Sequence, residues 1–420
     1  MKRKTRILAS ALALCMAGTS LAGCQSGGGT SSVASAKASG AASSKAAAAP
    51  TTITIWHSAE AGIIKCLQAE LDKLAPNVTV KFERKENMSD ALKLIGNDPS
   101  SAPDMYLWAH DKTGTFAQMG ILSPVTDFVS KDELADLLPV TTTASAYQGQ
   151  MYQLPIFYET QMFLYNKKLM KTPPKTTDDL LKYAKENTKN GTYGLVEQHS
   201  TAYYAAAWMH AFGAAIVNDK SEPQLNTQAM MDSIAYHKQF VPYEPVDGEY
   251  NTVTTLFKEG KAHSIISGPW LVPDLKSSGI DFGIAPMPTV NSTGKALTPY
   301  AGVQGLFVLK NSAEGKKDAV TSVLRQLLKT DVGVSLAKAA SCAPANNKCY
   351  SDAAVSSNEM LMTMKKTAET AVAMPNTPEM DVMWDATETM LAAVNKNKKD
   401  IKTECESAQK KALEGIQSMK

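Results

Sequence analysis

The stretch YLWAHDKTGTFAQMG, Tyr106 to Gly120, gathers Trp108, His110, Asp111 and Lys112 within five positions. Acid–base catalysis, metal ligation and a polar grip on a ligand all draw on these residue types. His110 and Asp111 are sequence neighbours, so their side chains need not face one another. The chain has no Gly-x-Ser-x-Gly elbow and no phosphate loop. A glycosidase needs two carboxylates flanking a bond. Glu60, Asp111 and Glu159 could supply them, but any chain of this size holds many acids. His57, His110, His199, His210, His237 and His263 are scattered, with no His-Glu-x-x-His and no Cys-x-x-Cys. Such scatter reads as core or surface histidines, with no metal site and no cofactor expected; a zinc-capturing binding protein is the competing reading.

The aromatic residues are more telling. Trp56, Trp108, Trp270 and Trp384 each stand beside polar or turn residues, in IWHS, WAHD, SGPW and MWDA. A sugar offers an apolar C–H face and a rim of hydroxyls. Aromatic faces cover the first, and carboxylates or Lys hold the second through charge-assisted hydrogen bonds. Trp108, Asp111 and Lys112 fit that chemistry in one loop. For any single Trp, core packing is the competing reading.

The elements that must position these residues alternate between strand and helix. TITIW (52–56) and VTVKFE (78–83) alternate apolar and polar residues, and residues 63–74 between them have helical spacing. MYLW (105–108), FLYN (163–166), HSIISG (263–268) and GLFVLK (305–310) read as further strands. Thr176, with Asp179 three residues on and Gly191 beyond, frames a helix. Another helix is expected over 317–328 and at least two more in the last sixty residues. Such alternation predicts an α/β fold with ligand crevices at strand ends, and 420 residues suffice for two lobes. WHSAE, WAHDK and SGPW all follow strand candidates, so they are candidate site loops.

The formal net charge is +2, from 43 Lys and Arg against 41 Asp and Glu. Lys2, Arg3, Lys4 and Arg6 open the chain, and without them the balance is slightly acidic. That gives no electrostatic case for nucleic acid. The basic start, the short apolar run 7–17 and LAGC (21–24) read as a lipoprotein signal over 1–23, with Cys24 the lipidated residue. Residues 24–50, rich in Gly, Ser and Ala, read as a flexible tether at the extracytoplasmic face of a cell membrane. Cys342 and Cys349 lie in the turn-rich SCAPANNKCY and are candidates for a small disulfide loop, with free thiols the alternative. Cys66 and Cys405 read as free thiols in helices.

Five segments in order, PDMYLWAHDKTGTFAQMGIL, LPIFYETQMFLYNKKLM, SIISGPWLVPDL, GIAPMPT and AMPNTPEMDVMWDA, resemble the maltose/maltodextrin-binding proteins of bacterial ABC importers. These belong to the extracellular solute-binding protein family 1. The resemblance covers nearly all of the chain after the tether. It implies a type II periplasmic-binding-protein-like fold with a ligand cleft between two α/β lobes. The first lobe would comprise 51–157 and 303–359, the second 158–302 and 360–420.

The same resemblance implies ligand contacts from Ser58, Glu60, Trp108, Asp111, Lys112, Glu159, Tyr203, Trp270, Met374 and Trp384. Lys112 stands where an Arg is common, Ala61 where a Lys is, and Asp385 and Glu388 where an aromatic and an Arg are. These departures bear on sugar preference and length. The implied protein is a monomeric binding protein, not an enzyme, that carries maltose or maltodextrin to an ABC permease. The alternatives are another oligosaccharide, such as a cyclodextrin or a plant-derived glycan, a surface adhesion or sensing lipoprotein, or a secreted glycosidase using Glu159 and Asp111.

Overall fold

The computed structural model describes residues 49–419. The signal segment 1–23, Cys24 and the tether up to residue 48 lie outside the described residues. Ten strands carry the argument. They are β1 (Thr51–His57), β2 (Val78–Arg84), β3 (Met105–Ala109), β4 (Gln153–Thr160), β5 (Met162–Asn166), β6 (Ser264–Ser267), β7 (Phe282–Ala285), β8 (Tyr300–Leu309), β9 (Ala343–Pro344) and β10 (Val372–Ala373). An eight-stranded sheet has the order β9-β4-β8-β3-β1-β2, with β10 and the short strand Leu122–Ser123 also paired to β8. A three-stranded antiparallel sheet has the order β7-β5-β6.

Period-two patterning explains the larger sheet. On one face Ile53, Ile55, Met105, Leu107, Leu306 and Val308 enter a core that also takes Leu67 and Leu71 from helix α1 (Ala61–Leu71). On the other face Trp56, Tyr106, Phe307 and Leu309 enter a second core with Phe116. Tyr106 and Phe307 are register partners and stack at 4.5 Å, a geometry worth roughly 0.5–1.5 kcal/mol beyond burial. Trp56 is therefore a core residue of β1, and its indole N–H donates to Glu83 Oε2 at 3.1 Å.

Strand direction decides where the site loops lie. β1 is parallel to β2 and β3, while β8 runs antiparallel to both β3 and β4. The carboxyl ends of β1, β3 and β4 thus share one sheet edge with the amino end of β8. A single residue, Gln161, separates β4 from β5, so the chain passes there from the large sheet to the small one. β10 lies parallel to the start of β8 and brings Met374 to the same edge.

The three-stranded sheet is covered by helices that build the other cores. Helix α2 (Ala202–Ala211) is apolar nearly all round, as a helix buried on every side must be. It packs with α3 (Gln228–His237), α4 (Met380–Asn395) and α5 (Ile401–Ser418). The expected helix after Thr176 spans Thr177–Asn187, and the Thr176 hydroxyl accepts from the Asp179 N–H at 3.1 Å.

The Cys342–Cys349 loop is not formed. Both residues are buried free thiols in different cores, Cys342 beside Leu336 and Cys349 beside Tyr350. The Cys342 thiol points to the Ala340 carbonyl at 3.8 Å and the Cys349 thiol to the Thr330 carbonyl at 3.4 Å. The chain between them enters β9, which sends the two side chains into separate packing. Cys66 and Cys405 are free thiols in helices; Cys405 is buried as expected, and Cys66 is only partly buried.

Candidate functional site

The polar half of the site is built on the shared sheet edge. Trp108 closes β3, and Asp111 and Lys112 follow in the short 3-10 turn His110–Lys112. Trp108 is half-buried, with its ring centroid 6.5 Å from Phe116. Its backbone is fixed by an irregularity in the neighbouring strand. The register of β8 on β4 shifts between Gln304 and Gly305, and a Cβ at Gly305 would sit 2.2 Å from the Leu154 carbonyl oxygen. The missing side chain lets Gln153 lie across, where its Nε2 donates to the Trp108 carbonyl at 2.9 Å. Ser145 Oγ donates to the other end of that amide, Gln153 Oε1, at 2.8 Å.

His110 is a strut and not a catalytic base. It is buried, and its Nδ1 accepts from the Val303 N–H at 3.0 Å. Its Nε2 then carries the proton and donates to the Met374 carbonyl at 2.8 Å. Burial pushes the imidazole pKa below its ordinary value, so the ring stays neutral. One side chain thus joins the loop after β3 to both β8 and the segment leaving β10. Gly114 N–H adds a bond to the Asn376 carbonyl at 2.9 Å. The Asn376 amide donates to the carbonyls of Ala144 and Ala146 at 2.8 and 2.7 Å.

Glu159 lies near the end of β4, opposite Gly302 of β8. Burial is the only influence on its carboxylate, with no hydrogen-bond or ion-pair partner among the described residues. Burial alone raises its pKa above the usual carboxylate range. Ser58 and Glu60 follow β1 on the same edge, both exposed, with Glu60 at the N-cap of α1 and its side chain uncommitted to the cap. Lys112, expected to meet ligand hydroxyls, donates to Asp381 in the first turn of α4. Sequence reasoning missed Asp381, which no local motif connects to Lys112.

The apolar half is an aromatic arc. Tyr203 in α2 lies 6.2 Å from Trp270 and 6.4 Å from Tyr300. Tyr300 lies 6.1 Å from Trp384 of α4, edge to face. Met374 is partly buried against the same core as Tyr203 and Trp384. Trp270 folds back over its own loop, where a Cβ on Gly268 would fall 2.1 Å from the indole ring. The SGPW motif therefore needs its glycine for close approach and not for a turn. Tyr300 was not anticipated; it is fully buried and backs both Tyr203 and Trp384.

The two halves meet at Glu159 and Tyr203. Burial, and after it the Glu159 charge, push the Tyr203 phenol upward, which places the carboxylate near that ring. The Gln161 amide donates to the Tyr203 carbonyl at 2.8 Å. Glu388, at a position expected to alter sugar preference, accepts from the Ala202 N–H at 3.2 Å and so caps α2. Asp385 is exposed. A cavity of about 600 Å³ lies elsewhere, lined by Leu138, Val140, Thr143, Lys365 and Ala373, and includes none of the expected ligand residues.

The aromatic arc and the open Glu159 carboxylate are thus brought together on an α/β fold of two sheets. Residues 57–332 match the bacterial extracellular solute-binding proteins, and the chain belongs to that family. It is similar to the maltotriose-binding protein of Pyrococcus abyssi, 29% identical over 377 residues, or 87% of this chain and 82% of that protein. It is also similar to the galactooligosaccharide-binding protein of Bacillus subtilis, 26% identical over 85% of this chain and 87% of that protein. A crystal structure of a cyclo/maltodextrin-binding protein complexed with maltotetraose superposes with a TM-score of 0.81 at 26% identity, covering 90% of this chain and all of that one. The fold is that of the type II periplasmic sugar-binding proteins. The relatives are binding proteins, and this chain is a binding protein and not an enzyme.

Proposed function

We propose that this protein captures maltodextrins at the extracytoplasmic face of the membrane and presents them to an ABC permease. It acts as a monomer held through a lipid on Cys24 and the tether that follows. The observation that carries the reading is the pairing of the Tyr203–Trp270–Trp384 arc with a partnerless carboxylate at Glu159 and the Trp108–Lys112 loop. Glucose rings stack on the arc, and Glu159, Asp111 and Lys112 take hydroxyl hydrogen bonds, with Ser58, Glu60 and Met374 at the margins. The sugar touches both lobes, so it binds the closed arrangement better and shifts the population toward it. The permease then reads the closed form.

Maltotriose-binding and maltotetraose-bound relatives support the substrate class. A second reading, a different oligosaccharide, is favoured by the galactooligosaccharide-binding relative and by the occupation of Lys112 by Asp381. Calorimetric titration of the chain from Thr51 to Lys420 separates them, using maltose, maltotriose, a longer maltodextrin, a galactooligosaccharide and xylotriose. Micromolar or tighter binding to the maltose series alone is expected. Binding only to another sugar would keep the cleft and replace the substrate.

A further inference from the structure

Away from the cleft residues, three ionisable side chains are buried against one another. Glu197, His237 and Glu244 are 0%, 3% and 5% exposed. One ligand-type atom from each lies within 4.8 Å of the other two. They come from separate segments: Glu197 follows the bridge between Val196 and Ile265, His237 ends α3, and Glu244 follows the turn Val241–Tyr243. The Trp208 indole N–H donates to Glu197 Oε2 at 3.1 Å, and His237 Nε2 donates to Glu197 Oε1 at 2.6 Å. The Glu197 backbone N–H donates to Glu244 Oε2 at 3.2 Å. The His237 ring stacks on Trp208 at 4.5 Å.

This network leaves two things unexplained. Two carboxylates share the space with one imidazole, so the cluster is short of positive charge unless a carboxyl keeps a proton or a cation binds. Glu244 Oε1 is also buried with no hydrogen-bond partner among the described residues. A desolvated carboxylate oxygen in that position is costly unless something neutralises or ligates it. Donors held at about 2.0–2.2 Å from one tetrahedral ion lie ~3.3–3.6 Å apart, so three atoms within 4.8 Å of one another reach that spacing by moving about an ångström or less.

We propose that Glu197, His237 and Glu244 form a structural site for a divalent transition metal of the zinc or manganese kind. Two carboxylates and a neutral imidazole bring the site to zero net charge around a 2+ ion. The imidazole argues against calcium and magnesium, which take oxygen ligands. On loading, the metal takes the His237 Nε2 lone pair, and the ring proton moves to Nδ1. Any proton on Glu244 leaves as the ion binds. The ion would tie the segment around Glu197, α3 and the 241–245 turn into one unit, and Trp208 extends that tie to α2. The site is independent of which sugar the cleft takes.

The test uses the full chain purified without a metal-affinity step. Metal content is measured by mass spectrometry, and thermal unfolding is followed after chelator and after adding back Zn²⁺, Mn²⁺ or Ca²⁺ singly. The expected result is close to one Zn²⁺ or Mn²⁺ per chain. Tm should fall by at least about 2 °C on stripping, recover with the same ion, and ignore Ca²⁺. Glu244→Gln keeps the side-chain volume and the oxygen that accepts from Glu197 N–H. It should fold, bind the metal at least about tenfold more weakly, and lose the Tm response. A wild-type chain that takes up none of the ions and whose Tm ignores both chelator and metal overturns the site. So does a Glu244→Gln chain that binds the metal as tightly as the wild type.

Discussion

Glu159 and Glu197 are both buried or nearly so, and they have opposite surroundings. Glu197 is closed in by Trp208 and His237, so each of its oxygens has a partner. Glu159 lies near the end of β4 at the sheet edge, with no partner for either oxygen among the described residues, next to an aromatic arc. A carboxylate that the fold satisfies holds the fold together. One that the fold desolvates and leaves open is available to a ligand that brings its own hydroxyls.

The sharpest way to break that contrast is to remove Glu197. Glu197→Ala strands the His237 ring and the Trp208 N–H in the interior and should destabilise the protein by about 3–5 kcal/mol. Chemical denaturation reads it, and a loss below about 1 kcal/mol would show that the cluster is not a staple. His110→Ala should come next. It unpairs the Val303 N–H and the Met374 carbonyl and leaves a void, costing about 2–4 kcal/mol.

The open side of the comparison predicts changes in affinity without large changes in stability. Trp270→Ala and Trp108→Ala should each weaken sugar binding more than about tenfold, or ~1.4 kcal/mol, while far-ultraviolet circular dichroism stays native. Unchanged affinity in both would remove the arc and the loop from the binding surface. Glu159→Gln should weaken binding by about ten- to a hundredfold, because charge-assisted hydrogen bonds become neutral ones.

Glu159 also gives a sign for pH. Its folded pKa is raised, so folding prefers the protonated form and loses stability as pH rises from the ordinary carboxylate value through the raised one. Sugar hydroxyls that donate to the carboxylate prefer the ionised form. Affinity should therefore fall as pH drops through that raised pKa, and Glu159→Gln should flatten the profile. The smallest effect is expected at Asp381. Asp381→Asn breaks a partly exposed ion pair worth about 0.2–1 kcal/mol. It frees Lys112, so affinity for the sugar should rise slightly at low salt and not at high salt.

Much of the frame is legible in the chain. MYLW and GLFVLK are continuous apolar runs because β3 and β8 send successive side chains into two cores, while TITIW sends its two isoleucines into one. Thr176 caps the helix its spacing predicts. The WAHDK loop reads as a unit because all its residues follow one strand. Trp56 misled for a local reason. It precedes His57 and Ser58 and looks like a loop residue, but strand pleat turns it inward. Cys342 and Cys349 misled because seven residues of turn-like sequence do not reveal that β9 lies between them and divides their cores.

The sequence by itself determined the period of each element, the caps that bound them, and the residues of the Trp108–Lys112 loop, because these follow from local sterics and from alternation of burial. Only the tertiary structure decided that Glu159 stays open while Glu197 is enclosed. It alone set Lys112 against Asp381 and joined Tyr203, Tyr300 and Trp384 in one arc. Those outcomes depend on strand order and helix packing between residues up to 269 positions apart, where no spacing rule reaches.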